Sequence, residues 1–253
     1  SGDENKDWLS IRIVLVPDFQ QTVVMKQIRL LIDALDRKPS PLFYYLFYRL
    51  KNPEIRLRIK ACQTEERVKL FSSICSIFQK IPEVDHVKLN PYYPEKCKYS
   101  EEGIHFSERL FNCESQLLLT LNPKSSEEKL SLVIGMSSMF LENADQLKYW
   151  IAHCRKLSIQ NSGHYSAKSY LEKFLELSNL EWRNYYTSLI EKHPWFRDMD
   201  KRPRWIGNHI HMLVNRIFWD EGLEMEAEVY AMLWWFLRDK KYGREKGKLA
   251  NVC

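Results

Sequence analysis

Hydrophobic and polar residues follow two different periods in the first hundred residues, and each period predicts one kind of element. Alternation in β-branched or aromatic runs predicts strands, and a period near four predicts helices. The predicted strands are Leu9–Val16, Phe43–Leu50, Ile55–Lys60 and Val84–Leu89, and the predicted helices are Gln21–Leu35 and Glu65–Phe78. The order strand, helix, two strands, helix, strand is that of a ferredoxin-like unit, whose sheet keeps one face free for another layer.

From Gly103 onward the pattern changes to long helical periods separated by short polar breaks. The predicted helices are Ile104–Leu121, Ser126–Leu141, Ala144–Ser158, Tyr165–Ile190, Trp205–Phe218 and Leu223–Lys240. The chain is therefore predicted to be α+β, with an N-terminal ferredoxin-like mixed sheet followed by a mainly helical region. We expect a sheet-containing half over residues 1–100 that recognises a partner and a helical half over residues 101–253, packed as one compact unit.

Composition excludes several classes of protein. Hydrophobic residues make up 45% of the 253 residues and aromatic residues 13%, which is too much apolar surface for a disordered chain. No apolar run approaches the roughly 18 to 20 residues of a membrane helix. The eight glycines have no spacing that could build a dinucleotide fingerprint or a phosphate loop. The six cysteines are scattered, which favours the reducing cytoplasm, and the net charge of +5 favours acidic partners rather than nucleic acid.

The densest polar cluster on an apolar helix runs from His209 to Arg216. His211 and Asn215 are four residues apart and therefore share a helix face. Two readings stay open at this point: a cluster that carries chemistry, or local capping by Asn215 and Arg216 with one histidine in the core. A metal site is not expected, because the rings of His209 and His211 point roughly 200° apart and no third ligand has suitable spacing.

Two further clusters are weaker. Arg56, Arg58 and Lys60 share one face of a strand and suit carboxylates or a peptide backbone, although solvated edge strands often show the same alternation. Polar residues also crowd the segment Tyr92–Tyr99 and the helix that follows, where a sheet meets helices and a cleft is common. Three other acidic residues are interpreted as a solvated helix face: Glu224, Glu226 and Glu228.

In this order the three clusters resemble a known family, the lantibiotic dehydratase C-terminal or thiopeptide-type bacteriocin biosynthesis domain. The segment Arg49–Arg58 is similar to the family's Arg-Tyr-x-Asp-Pro-x-x-His-Leu-Arg-Leu-Arg element. Tyr93–Tyr99 is similar to its Tyr-x-x-Glu-x-x-Arg-Tyr-Gly-Gly element, followed by Glu108–Phe111 and Ser115. His211–Arg216 resembles its His-Met-x-x-Asn-Arg signature. The resemblance spans roughly residues 8 to 238, and its specificity comes from the three motifs occurring in order.

The resemblance implies one of two reactions. Many members eliminate glutamate from glutamylated Ser or Thr of a peptide, whereas stand-alone short members are pyridine synthases, which join two dehydroalanines by a formal aza four-plus-two cycloaddition and expel water and the leader peptide. The elimination pattern's Arg-Tyr-Gly-Gly is Lys98-Tyr99-Ser100-Glu101 here. Lysine lacks the bidentate grip of arginine on a carboxylate, and Glu101 adds negative charge. These departures favour the pyridine synthase.

The resemblance also implies roles for particular residues. His211 is expected to move protons, with Asn215 and Arg216 orienting it or polarising a peptide carbonyl, and Tyr99 is expected to act as a second donor. The expected peptide-binding residues are basic: Arg49, Arg56, Arg58, Lys60 and Lys98.

The same resemblance implies the partners. The expected partner is a modified precursor peptide with an acidic leader, which the exposed strand edge could also pair with, and neither reaction requires a cofactor or metal. Aromatic residues in Ala231–Leu237 suit a core or a homodimer interface equally. A split-dehydratase elimination partner and a non-catalytic leader-binding module remain as alternatives.

Overall fold

The computed structural model describes residues 7–35, 41–49, 51–61, 63–141, 152, 154–156, 167–219 and 222–250. The chain forms two compact units. Unit 1 comprises Ser1–Pro123 with Ser188–Asn208, and unit 2 comprises Lys124–Thr187 with His209–Cys253. Residues after position 100 occur in both units, and the predicted roles of the two halves remain predictions.

Unit 1 contains a four-stranded sheet and two helices that connect its strands. The elements are β1 (Trp8–Leu15), α1 (Gln21–Ala34), β2 (Phe43–Tyr48), β3 (Glu54–Lys60), α2 (Thr64–Phe78) and β4 (Val84–Leu89). The strand order is β2-β3-β1-β4, which confirms the ferredoxin-like prediction. All three pairings are antiparallel, so the expectation of a mixed sheet was wrong. Each helical crossover passes over one strand, and parallel strands are therefore never neighbours.

One face of the sheet forms the core with the helices of unit 1. Ile11 on β1 lies opposite Leu57 on β3, and both are fully buried. Ile28 on α1 and Ile74 on α2 are fully buried as well. Because side chains alternate along a strand, the intervening positions, which include the cations of β3, lie on the second face.

The remaining described elements are helical, which confirms the α+β class. They are α3 (Lys96–Tyr99), α4 (Ile104–Leu121), α5 (Ser126–Phe140), α6 (Ala167–Leu177), α7 (Leu180–Lys192), α8 (Pro194–Arg197), α9 (Arg202–Phe218) and α10 (Gly222–Ala250). Most of the predicted helix Ala144–Ser158 lies outside the described residues. In the described part of the chain no helix combines the length and the apolar character needed to cross a membrane.

The single helix predicted over Tyr165–Ile190 is two helices in the structure. Asn179 Oδ1 accepts a hydrogen bond from Trp182 N at 2.7 Å, which caps the start of α7. Ser178 Oγ donates to Phe174 O at 2.7 Å at the end of α6. These side chains compete for the backbone bonds of a continuous helix. The hydrophobic period continues across them, which is why the break was missed.

Candidate functional site

Helix α9 presents His211 and Asn215 side by side in unit 2. Asn215 Nδ2 lies 3.0 Å from His211 Nε2. On α10, Glu226 Oε2 lies 2.8 Å from His211 Nδ1. Spacing by four residues brings the first pair onto one helix face, and the following helix supplies the carboxylate. Both nitrogens of the imidazole are therefore held.

The hydrogen-bond partners of His211 determine which of its ring nitrogens carries the proton. A carboxylate accepts hydrogen bonds only, so Nδ1 donates its proton to Glu226, and Nε2 of the neutral ring accepts from the Asn215 amide. The His211 side chain is 46% exposed and that of Glu226 is 21% exposed. A carboxylate that orients an accessible imidazole in this way is the arrangement enzymes use for proton transfer.

Glu226 is the functional candidate that sequence reasoning missed. It was interpreted as part of a solvated helix face together with Glu224 and Glu228. Its partner, His211, lies on the preceding helix, so the periodicity of residues within α10 does not reveal the contact. The available signal was only that a carboxylate follows the histidine on the next helix.

The neighbours of His211 on α9 do not share its exposure. His209 is buried, with its ring centroid 5.4 Å from that of Phe140, and it is a core histidine. The Arg216 side chain is fully buried, so the structure does not place it on the accessible face that His211 and Asn215 form. Its orienting role remains a prediction. No group of three or more potential metal-ligating His, Cys, Asp or Glu side chains occurs among the described residues.

Tyr99 and Lys98 lie on the short helix α3 of unit 1. The Tyr99 ring is buried and packs edge-on against Phe111, with centroids 5.5 Å apart. The Lys98 ammonium pairs with Glu95 Oε1 at 2.8 Å. Glu101 pairs with Lys96. Tyr99 thus packs in the core, and Lys98 already has a carboxylate partner. The roles predicted for them, proton donation by Tyr99 and peptide binding by Lys98, remain predictions.

The cations of β3 share one face, as the alternation predicted, but they differ in surroundings. Arg56 Nε lies 2.8 Å from the buried Glu54 Oε1, which also accepts from Arg12 Nη2 at 2.8 Å. Arg56 also lies over the Tyr48 ring at 3.9 Å. Lys60 is exposed on the same strand. Arg49, which precedes β3, is exposed too.

Arg58 belongs to a polar network on the second face of the sheet. Its Nη1 donates to the Tyr44 hydroxyl at 2.7 Å, and its guanidinium lies 4.2 Å from the centre of the Tyr92 ring. The Tyr92 hydroxyl donates to Glu108 Oε1 at 2.8 Å. Burial raises the pKa of Glu108. The Arg58 guanidinium is therefore held in a fixed position by aromatic rings, unlike a cation on a mobile surface side chain.

A second buried histidine, His193, lies in unit 1 next to the backbone of Tyr99. His193 Nδ1 accepts from Trp195 N at 3.1 Å and caps α8. Its Nε2 lies 3.2 Å from Ser107 Oγ, and its ring stacks on Trp205 with centroids 4.2 Å apart. Burial, with a smaller contribution from the charge of His105, lowers the pKa of His193 to about 4.

We expect the free energy of unfolding to fall when the pH is lowered from 7 to 5. A histidine in the unfolded chain titrates near 6.5. Below that pH the unfolded state binds a proton that the buried His193 ring does not bind, which reduces the free energy of unfolding by about 2 kcal/mol at pH 5. Urea denaturation at both pH values measures the loss. His193→Asn keeps a capping oxygen and should flatten this dependence, whereas the exposed His86→Asn should leave it intact. An unchanged pH dependence in His193→Asn would contradict the assignment.

Comparison with solved structures shows the same fold in two other proteins. TsrL is 11% identical, with a TM-score of 0.55, and the alignment covers 93% of this chain and 95% of TsrL. TbtD, a pyridine synthase from thiomuracin biosynthesis, is 9% identical, with a TM-score of 0.51, and the alignment covers 90% of this chain and 99% of TbtD. No curated protein sequence gives a significant match.

The family assignment rests on the sequence itself. The family model described as Lantibiotic biosynthesis dehydratase C-term matches residues 8–237. This range contains the sheet, the network around Arg58 and the pair His211 and Asn215 with Glu226. This chain belongs to the lantibiotic biosynthesis dehydratase C-terminal family.

Proposed function

We propose that this protein is a pyridine synthase of thiopeptide biosynthesis, which joins two dehydroalanines of a modified precursor peptide. The observation that carries the proposal is the accessible imidazole of His211, oriented by Glu226 at Nδ1 and contacted by Asn215 at Nε2. A reaction that consists of bringing two alkenes together and moving protons needs this kind of group. Membership of the family and the fold shared with the pyridine synthase TbtD support the same reading.

The reaction divides into steps that this site can serve. A dehydroalanine nitrogen loses its proton while the preceding carbonyl oxygen gains one, which creates an azadiene. Two carbon–carbon bonds to the second dehydroalanine then close a six-membered ring. Loss of water and of the leader peptide as its amide makes the ring aromatic. Holding the two ends in register can itself lower the barrier by roughly 7 to 11 kcal/mol.

His211 is the proton carrier in this proposal. Its Nε2 takes the amide proton and the imidazolium delivers it to the carbonyl oxygen. In each later elimination the imidazole takes a proton from the new ring and returns it to the departing hydroxyl or leader nitrogen. Glu226 keeps Nδ1 protonated and stabilises the imidazolium when it forms. The Asn215 amide lies beside Nε2, where it can donate a hydrogen bond to the carbonyl of the same peptide group.

The surroundings of Lys98 weaken the alternative of glutamate elimination. That reaction requires a cation able to hold the carboxylate of a glutamyl ester, and the Lys98 ammonium is already paired with Glu95 at 2.8 Å. Glu101, three residues further on, is paired with Lys96, so this second ammonium is engaged as well. A glutamate carboxylate would therefore meet cations that already have carboxylate partners, whereas a cycloaddition needs no such contact.

Mass spectrometry with two substrates tests the proposal. The purified protein is incubated with a precursor peptide that carries two dehydroalanines and, separately, with the glutamylated precursor. We expect the first peptide to lose the mass of water plus the leader amide and the second to remain unchanged. Release of free glutamate from the second peptide would support the elimination partner instead. Unchanged mass of both peptides, with binding retained, would support a non-catalytic leader-binding module.

A further inference from the structure

The two edges of the sheet in unit 1 differ in how they are covered. At the β2 edge, Phe43 N donates to Asn112 Oδ1 at 3.0 Å and Tyr45 N donates to Ser115 Oγ at 3.4 Å, so side chains of α4 occupy the outward backbone groups. At the other edge, β4 pairs with β1 alone among the described strands. Among the described strands, β4 therefore has the edge that is left to accept another strand.

The register of β4 defines which backbone groups face outward. Asn90 N donates to Ser10 O, so Asn90 and, two residues before it, Lys88 direct their backbone groups towards β1. The alternating residues Val87 and Leu89 consequently direct their N–H and C=O groups away from the sheet. An added strand would bond to these two residues.

An apolar groove follows the same edge. It has a volume of about 450 Å³ and lies between α2 and the end of β4, with Val68 and Phe71 on one wall, Leu89 on the other, and Leu9 and Trp8 also lining it. Val68 is 61% exposed and Leu89 is 56% exposed, and with the other apolar residues of the groove they form a contiguous apolar patch. The groove is therefore an apolar surface that the described residues leave uncovered.

Charges define the chemistry of the occupant. Lys88 is exposed on the second face of the sheet, where it lies opposite Arg12. Arg67 lines the groove from α2. Side chains of an added strand alternate between the two faces, so every second one would enter the groove and the others would lie beside Lys88.

We propose that β4 and this groove bind the leader segment of the precursor peptide as an added strand in which apolar and acidic residues alternate. The apolar side chains fill the groove, the acidic side chains face Lys88, and the backbone bonds to Val87 and Leu89. Main-chain bonds supply affinity and the groove supplies specificity. The inference rests on the proposed function for the identity of the peptide, and it places leader recognition on β4 rather than on Arg56 and Arg58 of β3, which contact Glu54, Tyr48 and Tyr44.

Fluorescence anisotropy with defined peptides tests the proposal. The probe is a fluorescein-labelled peptide in which leucine or valine alternates with aspartate or glutamate, and the control peptide has the same composition with apolar and acidic residues grouped. We expect the alternating peptide to bind about tenfold more tightly than the grouped one. Lys88→Glu and Leu89→Glu should each weaken it about tenfold or more, because a like charge or a buried carboxylate then faces the peptide. Lys26→Glu, an equal charge change on the exposed side of α1, should leave the affinity unchanged.

Val87→Pro provides a test of the backbone contact. Proline is tolerated at an outward position of an edge strand but removes the N–H that the peptide needs. In the wild type, peptide binding should slow hydrogen exchange at the Val87 and Leu89 amides, and Val87→Pro should weaken binding while retaining the wild-type circular dichroism. Absence of binding, equal affinity for both peptides, or protection confined to other strands would overturn the proposal. A dimer that Val87→Pro converts to a monomer would assign the edge to a second copy instead.

The test of the leader-binding site and the test of the synthase activity can fail independently. Binding of the labelled peptide requires no turnover, so a protein that binds it at β4 but converts no substrate would contradict only the synthase assignment. Conversely, turnover of a leader-bearing substrate with the same KM in wild type and Lys88→Glu would contradict only the leader site.

Discussion

His211→Ala is expected to lower the rate of macrocyclisation of a bis-dehydroalanine peptide by about a hundredfold to ten-thousandfold, the range over which a positioned acid–base group contributes. The substitution removes the atom that takes and returns protons, while substrate contacts elsewhere remain. The loss should therefore appear in kcat rather than in KM. Because His211 is nearly half exposed, the variant should keep the wild-type circular dichroism spectrum. Single-turnover kinetics followed by mass spectrometry measures the effect.

Two matched variants on α10 show whether the carboxylate acts through the imidazole. Glu226→Gln removes the negative charge that stabilises the imidazolium, although its amide oxygen can still accept from Nδ1–H, and it should lower kcat less than His211→Ala, with a changed pH profile. Glu228→Gln, two residues further on, should leave kcat unchanged. In the double variant His211→Ala with Glu226→Gln the second substitution should add no further loss, because Glu226 then has no ring to orient. Near wild-type turnover by His211→Ala would refute the proposed role of this histidine.

The sequence pattern was sufficient to predict the strands and helices of unit 1, because each of these elements depends on residues that are close in sequence. The alternation of Ile55–Lys60 predicted both the strand and the shared face of its cations, and the order of elements predicted the topology. The antiparallel character of the sheet required knowing that β3 lies between β1 and β2, which is a property of strand order rather than of any one segment.

The contacts of the site were less predictable, since they join distant residues. The spacing of His211 and Asn215 indicated a pair, but the carboxylate that holds the ring comes from another helix. Arg216 follows Asn215 directly and is fully buried, against the strong tendency of arginine to remain exposed. Arg58 was predicted on the correct face, yet its contacts with Tyr44 and Tyr92 depend on the hairpin and on the segment after β4. Sequence thus supplied the residue types, and tertiary packing decided their environments.

Glu54→Ala is expected to reduce the free energy of unfolding by about 3 to 5 kcal/mol, the effect of removing one partner from a buried ion pair. Glu54 Oε1 accepts from Arg12 Nε at 3.0 Å, from Arg12 Nη2 at 2.8 Å and from Arg56 Nε at 2.8 Å. The Glu54 side chain is only 4% exposed, and those of Arg12 and Arg56 are 23% and 24% exposed. Without the carboxylate, two neighbouring guanidinium groups on adjacent strands repel each other with little water to screen them. Urea denaturation at neutral pH measures the change.

The arginines supply the control for this prediction. If the loss arises from uncompensated positive charge, Arg12→Met in the Glu54→Ala background should recover part of the stability, although the same change in the wild type should be destabilising. This sign reversal distinguishes charge repulsion from the loss of packing, which would make both substitutions unfavourable in either background. Glu172→Ala, which removes an exposed ion pair with Lys168 on α6, should have no measurable effect, since such pairs contribute little. An equally small change for Glu54→Ala would show that the second face of the sheet is well hydrated and that the Glu54 carboxylate is not what keeps Arg12 and Arg56 together.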